Sequence, residues 1–179
     1  MMRSSFTTRD RSRTRGGAVV FACALAVFGG PVTAAADDPA PTLSVALTTI
    51  PGGARADATP APTLLVYSDG HAVHSPDAAD PKRPADKAPK QHKGNISLDV
   101  VRAVAADANK LGAADLGMPK DSGGGSTLLD FLGDTPDQDV HLVMYSPGGT
   151  EGLTDAQKAD RTRFTELCKK LVDAFKADR

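Results

Sequence analysis

The chain has little cysteine and few aromatic residues, and it has no tryptophan. Two cysteines in 179 residues exclude a scaffold held by several disulfides. Aromatic residues make up 4% of the chain, so the core is expected to consist mainly of Leu, Val and Ala with a few Phe. A chain of this length suits a single domain.

The sequence also lacks an apolar run of the roughly 20 residues that a membrane span needs. The apolar run at 18–28 is shorter; five arginines precede it and small residues follow at 34–36. A basic segment, a short apolar segment and an Ala-x-Ala-like site are typical of a cleavable signal peptide. We therefore predict that residues 1–36 are a signal peptide, and that the mature chain is secreted and has no membrane span.

The two cysteines raise separate questions. Ala22-Cys23 resembles the end of a lipoprotein signal, but the apolar run continues past Cys23, which favours plain secretion over lipid anchoring. Cys168 would be the one cysteine left after cleavage. It lies at the edge of an apolar helical stripe, which predicts a structural role; a disulfide between two copies of the chain is the alternative.

Charge of one sign is not in large excess. Removing residues 1–36 takes away 5 of 21 basic and 1 of 22 acidic residues, so the net charge changes from -1 to -5. A mildly acidic chain is not expected to bind nucleic acid or anionic membranes in general.

Apolar residues repeat with strand and helix periods from residue 42 onward. Period-two patterns predict strands, and three- and four-residue steps predict helices. The expected order is a strand at 42–49, strands at 63–67 and 71–75, a helix at 97–111, strands at 127–132 and 140–145, and a helix at about 155–177. Residues 127–132 would also suit a helical turn, but a strand is preferred because 140–145 needs a partner.

These elements predict an α+β fold in one domain at 42–177, after a disordered start at 37–41. One antiparallel sheet of four to five strands, with two helices packed on one face, would bury every apolar stripe. Asp69-Gly70 predicts a type I′ hairpin turn. Thr154 and Gln157 predict a capping box at the start of the last helix.

Proline and lysine dominate residues 76–94, where almost nothing is apolar. Such a segment buries too little surface to offset its ordering entropy, so a flexible loop is predicted. The alternative is a docking segment for an acidic partner or a cell-envelope component, with contacts from Lys82, Arg83, Lys87, Lys90 and Lys93.

Residues that could support catalysis do not converge in the sequence. His71 and His74 are three apart on a predicted strand, so their side chains point to opposite faces and are not expected to share a metal ion. The glycine-rich stretch 121–127 lacks the lysine of a P-loop. We therefore predict no catalytic residue, cofactor or metal site; the alternative is a hydrolase that uses Ser126 and His141.

The turn after the 140–145 strand is the main candidate for binding. It consists of Tyr145, Ser146, Pro147, Gly148 and Gly149. An exposed tyrosine offers a large apolar ring and a polar tip, which suits an interface. The turn is therefore a candidate contact for a protein partner; the alternative is that Tyr145 packs over a helix end.

The layout of residues 63–175 resembles that of small secreted proteins of actinobacteria, most of which have no assigned activity. The resemblance rests on residues 64–70, the mid-chain helix, 143–145, and 152–154 running into Gln157, Arg161 and Phe164. It implies a fold rather than an activity. The helix-and-sheet layout also resembles that of some secreted protease inhibitors. The expected function is a secreted, non-enzymatic binding domain, with a protease inhibitor that presents loop 146–152 as the alternative.

Overall fold

The computed structural model describes residues 39–54, 59–84, 86–121 and 123–179. The predicted signal peptide with Cys23, and residues 37–38 of the predicted disordered start, lie outside these ranges. The helices are α1 (Leu98–Leu111) and α2 (Asp155–Ala174). The strands are β1 (Leu43–Pro51), β2 (Leu64–Tyr67), β3 (His71–His74), β4 (His92–Asn95), β5 (Gly125–Phe131), β6 (Val140–Tyr145) and β7 (Lys176–Ala177).

Within the described ranges, seven antiparallel strands form one sheet in the order β6-β5-β1-β2-β3-β4-β7. The α+β class and the single antiparallel sheet are confirmed, and residues 127–131 lie in strand β5, as preferred, whereas Leu132 follows the strand. The predicted number of four to five strands is wrong, because β4 and β7 extend one edge. No helix in the described ranges is long and apolar enough to cross a bilayer.

One face of the sheet forms the core together with both helices. Alternate strand residues meet across the ladders on this face; for example, Leu47 pairs with Leu64 and with Leu129. Phe164 of α2 and Val104 of α1 are fully buried against them. Burying each such side chain contributes about 1.5–3 kcal/mol. The opposite face carries half-buried apolar residues: Ala46, Leu65, Val73, Leu128 and Val143.

β4 and the edge strand β7 have no apolar alternation that would reveal them in the sequence. Gly94 of β4 permits a close approach: a Cβ there would lie 2.1 Å from the Lys176 carbonyl oxygen and 2.8 Å from the Phe175 ring. Phe175 is extended (φ -65°, ψ 130°) and ends α2 at Ala174, so the predicted helix end near 177 is wrong. The next residues pair with β4 instead.

The β2–β3 hairpin is closed by a turn of a different type from the prediction. The Gly70 N–H donates to the Tyr67 carbonyl oxygen (2.9 Å). Gly70 has a positive φ of 89°, whereas Asp69 does not. A type I′ turn needs positive φ at both central residues, so the type I′ prediction is wrong.

The start of α2 matches its prediction. Thr154 Oγ1 accepts from the Gln157 N–H (3.2 Å), and Gln157 Oε1 accepts from the Thr154 N–H (2.9 Å). This reciprocal pair is the predicted capping box. It fixes the point at which the chain leaves the preceding loop and enters the helix.

Candidate functional site

A buried arginine joins two surface loops near the start of α2. Arg161 is 5% exposed. Its Nη1 donates to the carbonyl oxygens of Leu116 (3.2 Å) and Gly117 (3.4 Å). Its Nη2 donates to those of Tyr145 (2.7 Å) and Ser146 (2.6 Å). Burial lowers the pKa of Arg161 below its ordinary value, yet a guanidinium stays charged, so the four carbonyls compensate a buried cation.

The two loops span residues 116–121 and 145–152, and we call them the braced loop pair. They also contact each other directly. The Lys120 N–H donates to the Glu151 carbonyl oxygen (3.1 Å), and the Lys120 ammonium lies 3.4 Å from the Glu151 carboxylate. The exposed ion pair adds little to the stability of the fold, whereas the backbone hydrogen bond fixes how the two loops align.

Ser146 sets the path of the second loop. It is 1% exposed and has φ 44°, an uncommon region for a residue other than glycine. Its N–H donates to Gly125 (2.8 Å), its carbonyl oxygen accepts from Gly149 (2.8 Å), and its Oγ accepts from Gly124 (3.2 Å). Pro119 of the first loop packs closely against Gly149 of the second. A Cβ on Gly149 would lie 2.9 Å from the Pro119 Cβ.

A second set of bonds ties the first loop to the start of α2. Asp115 Oδ1 accepts from the Gly117 N–H (2.8 Å), and Asp115 Oδ2 accepts from Gln157 Nε2 (2.9 Å). The Gly117 bond and then the Gln157 bond hold the pKa of Asp115 below its ordinary value. Gln157, which completes the capping box of α2, therefore also orients the loop that Arg161 holds.

Two large apolar side chains project outward from this braced backbone. Met118 is 61% exposed and Tyr145 is 47% exposed; among the described residues, Leu98 at 37% is the one other exposed large apolar side chain. Met118 stands between the buried residues Leu116 and Pro119. A groove of about 520 Å³ beside them is lined by residues that include Asp115, Met118, His141, Val143, Tyr145 and Gln157.

The structure thus brings the predicted turn 145–149 together with a loop that was not predicted to take part. Pro147 and Gly148 are exposed at its tip, whereas Ser146 is inside. Arg161 was also missed, although a signal was present. It lies three residues before Phe164, so helical spacing places it on the buried face of α2.

The basic segment 76–94 lies apart from this site in the sheet order, between β3 and β4. Four of its five basic side chains are exposed: Lys82, Lys87, Lys90 and Lys93. Arg83 is half-buried and donates to the carbonyl oxygens of Ala78 (3.2 Å) and Lys87. Lys93 lies in β4, so the segment ends in a strand rather than continuing as a loop.

The residues of the hydrolase alternative are not brought together. Ser126 pairs with Tyr145, whereas His141 pairs with Asp130. Four residues of strand separate the two positions, or roughly 13 Å at about 3.3 Å per residue. His141 Nδ1 is instead 2.9 Å from Asp130 Oδ1.

Cys168 is half-buried and borders a cavity between α2 and the sheet. Burial raises the pKa of its thiol to about 12. A thiol of this pKa is not a nucleophile at neutral pH. Its place at the edge of the core agrees with the predicted structural role.

No protein-family model, curated protein or solved structure matches this chain. The function therefore has to be argued from the geometry of the braced loop pair.

Proposed function

We propose that this protein is a non-enzymatic binding domain that acts outside the cytoplasm and binds another protein through the braced loop pair. The observation that carries the proposal is the buried guanidinium of Arg161, bonded to four carbonyl oxygens of two surface loops. A buried charge destabilises a fold unless its hydrogen bonds are satisfied. Here the compensating bonds fix the shape of the two loops.

A fixed loop favours binding because it loses little freedom when a partner arrives. Ordering a side chain at an interface costs about 0.5–1.5 kcal/mol, and a loop that is rigid before binding avoids much of that cost. Met118 and Tyr145 supply apolar area on this rigid frame, and exposed apolar residues that cluster mark interaction sites more often than scattered ones do. The groove between them offers a recess for a partner's side chain.

Site-specific photo-crosslinking tests the binding surface. A photoreactive residue is placed at Met118, at Tyr145, at Leu98 and at Lys87, and each variant is incubated with proteins secreted by the source cells. The proposal expects one partner to crosslink from positions 118 and 145 but not from 98. A partner that crosslinks from 87 alone would transfer the interaction to the basic segment and contradict the proposal.

Inhibition of a secreted protease is the second candidate, and the position of Met118 favours it. A protease takes one side chain of an extended segment into its specificity pocket. Met118 projects outward while Leu116 and Pro119 on either side are buried, so the segment presents one side chain from a fixed backbone. Loop 146–152, the candidate from the sequence, would then support the contact rather than supply the inserted residue.

Titration against purified proteases tests this candidate. We expect near-stoichiometric inhibition of a secreted protease whose pocket accepts a large apolar side chain. Met118→Lys should weaken that inhibition at least 100-fold and create inhibition of a protease with an acidic pocket. Leu98→Ala, which removes an exposed apolar side chain outside the loop pair, should change nothing. No inhibition at micromolar excess would discard the inhibitor candidate and leave the crosslinking test to decide on binding.

A further inference from the structure

The four histidines of the chain fall into two pairs with different surroundings. His71 Nδ1 lies 2.7 Å from Asp69 Oδ2, and His141 Nδ1 lies 2.9 Å from Asp130 Oδ1. Neither His74 nor His92 makes a side-chain hydrogen bond with another described residue. No hydrogen bond within the described ranges therefore occupies their imidazole nitrogens.

The sheet places His74 and His92 directly opposite each other. His74 ends β3, and His92 begins β4 as its antiparallel partner. The neighbouring pair, Ala72 and Gly94, is buried on the helix-covered face, and the two-residue alternation puts both histidines on that same face. Directly opposed residues have Cβ atoms about 4.5–5.5 Å apart, so both imidazoles can reach one ion.

The surroundings restrict the position of the His74 ring. The Phe175 ring lies 5.2 Å from it, centroid to centroid, and Leu64 is its partner on the other side in β2. His74 is half-buried, whereas His92 is exposed.

We propose that His74 and His92 form a two-histidine site for a divalent transition-metal ion. Imidazole nitrogens suit Cu²⁺, Ni²⁺ and Zn²⁺, with metal–nitrogen distances of about 2.0–2.1 Å for zinc. Because His92 faces solvent, water completes the coordination. With two protein ligands, affinity should follow the order of intrinsic metal preference, with Cu²⁺ bound most tightly.

Calorimetric titration of the protein purified without a histidine tag tests the site. We expect one Cu²⁺ per chain, with affinity falling at least 10-fold in His74→Asn and in His92→Asn. His71→Asn and His141→Asn are the matched controls and should retain wild-type affinity. Since His92 is exposed, its variant is expected to fold normally, so it decides the matter even if the His74 variant is unstable.

Paramagnetic broadening by Cu²⁺ locates the ion independently of affinity. The amide signals of Ala72 and Gly94 and the Phe175 ring signals should broaden first, whereas those of the braced loop pair should not. Binding that survives in the His74→Asn/His92→Asn double variant would overturn the proposal. So would an equal loss of affinity in the His71 or His141 control.

Discussion

Two loop regions toward opposite edges of the sheet are held by different kinds of contact. At the braced loop pair, one side chain joins segments far apart in the chain: the Arg161 bonds span 15 to 45 residues. In the segment between β3 and β4, side-chain bonds to the backbone span 2 to 13 residues. Long-range bonds form only when the whole fold is present, so the loop pair should lose its shape together with the core. Bonds of shorter range should make the segment between β3 and β4 more tolerant of substitution.

Arg161→Met should have the largest effect, because four carbonyl oxygens lose the guanidinium as a donor, and among them the Ser146 oxygen keeps a bond from the Gly149 N–H. We expect the free energy of unfolding to fall by about 3–5 kcal/mol, measured by urea denaturation. Arg163→Met is the matched control on the same helix. Arg163 is exposed and pairs with Asp160, so its loss should change stability by less than about 1 kcal/mol. Equal effects of the two substitutions would contradict the role of Arg161 in holding the braced loop pair.

Gly94→Ala tests the strands next to that segment, where Gly94 of β4 lets the backbone of Lys176 approach closely. The new Cβ would meet the Lys176 carbonyl oxygen and the Phe175 ring, so β7 has to separate from β4. Overpacking of this kind destabilises by about 1–3 kcal/mol. Hydrogen exchange at Asp178, whose N–H donates to Lys93, should become fast. Gly148→Ala is the control, because nothing lies within 4 Å of its Cβ, and it should change stability by at most about 0.5 kcal/mol.

Gln157→Ala should have a smaller effect, next to the braced loop pair. We expect the free energy of unfolding to fall by about 1 kcal/mol, because the substitution removes the capping bond and the bond to Asp115. The pKa of Asp115 should rise as it loses one of its two donors. Gln157→Glu separates the two roles, since a carboxylate can still accept from the Thr154 N–H but cannot donate to Asp115. Denaturation and carboxyl NMR titration measure the two effects; an unchanged Asp115 pKa in both variants would contradict the described link.

The pH dependence of His74 should be the smallest effect. Its folded pKa is lowered, so the unfolded chain binds the proton first as pH falls through the ordinary value of 6.5. Stability should therefore decrease between pH 6.5 and the lower folded pKa, and this group should cause no further change below that range. NMR titration should give a pKa for His74 below 6.5. The substitution His92→Gln should raise this pKa only partly, because the burial of His74 remains. A His74 pKa at or above 6.5 would contradict this account.

Periodic apolar patterns predicted most of the fold. Both helices and five strands were expected close to their observed positions, because each carries a stripe that has to be buried. Strands β4 and β7 were missed for the opposite reason. Apart from Gly94, their residues are exposed, and backbone pairing rather than an apolar stripe makes them strands.

Half of the candidate site could be predicted. The turn at 145–149 followed from its position after a strong strand pattern. Loop 116–121 lies some 30 residues earlier in the sequence, and Met118 has no local feature that sets it apart. Arg161 had a detectable signal, since its spacing from Phe164 places a charge on a buried helix face, but the sequence does not reveal which carbonyls it would meet.

The sequence by itself determined the elements with a periodic apolar stripe, the capping box at Thr154 and the placement of His71 and His74 on opposite faces. These depend on neighbours a few residues apart, which the order of the residues specifies directly. Tertiary structure alone decided that Arg161 would hold two loops and that His74 would stand opposite His92. Such contacts arise from strand order and helix docking, and these depend on how all the apolar surfaces are buried at once.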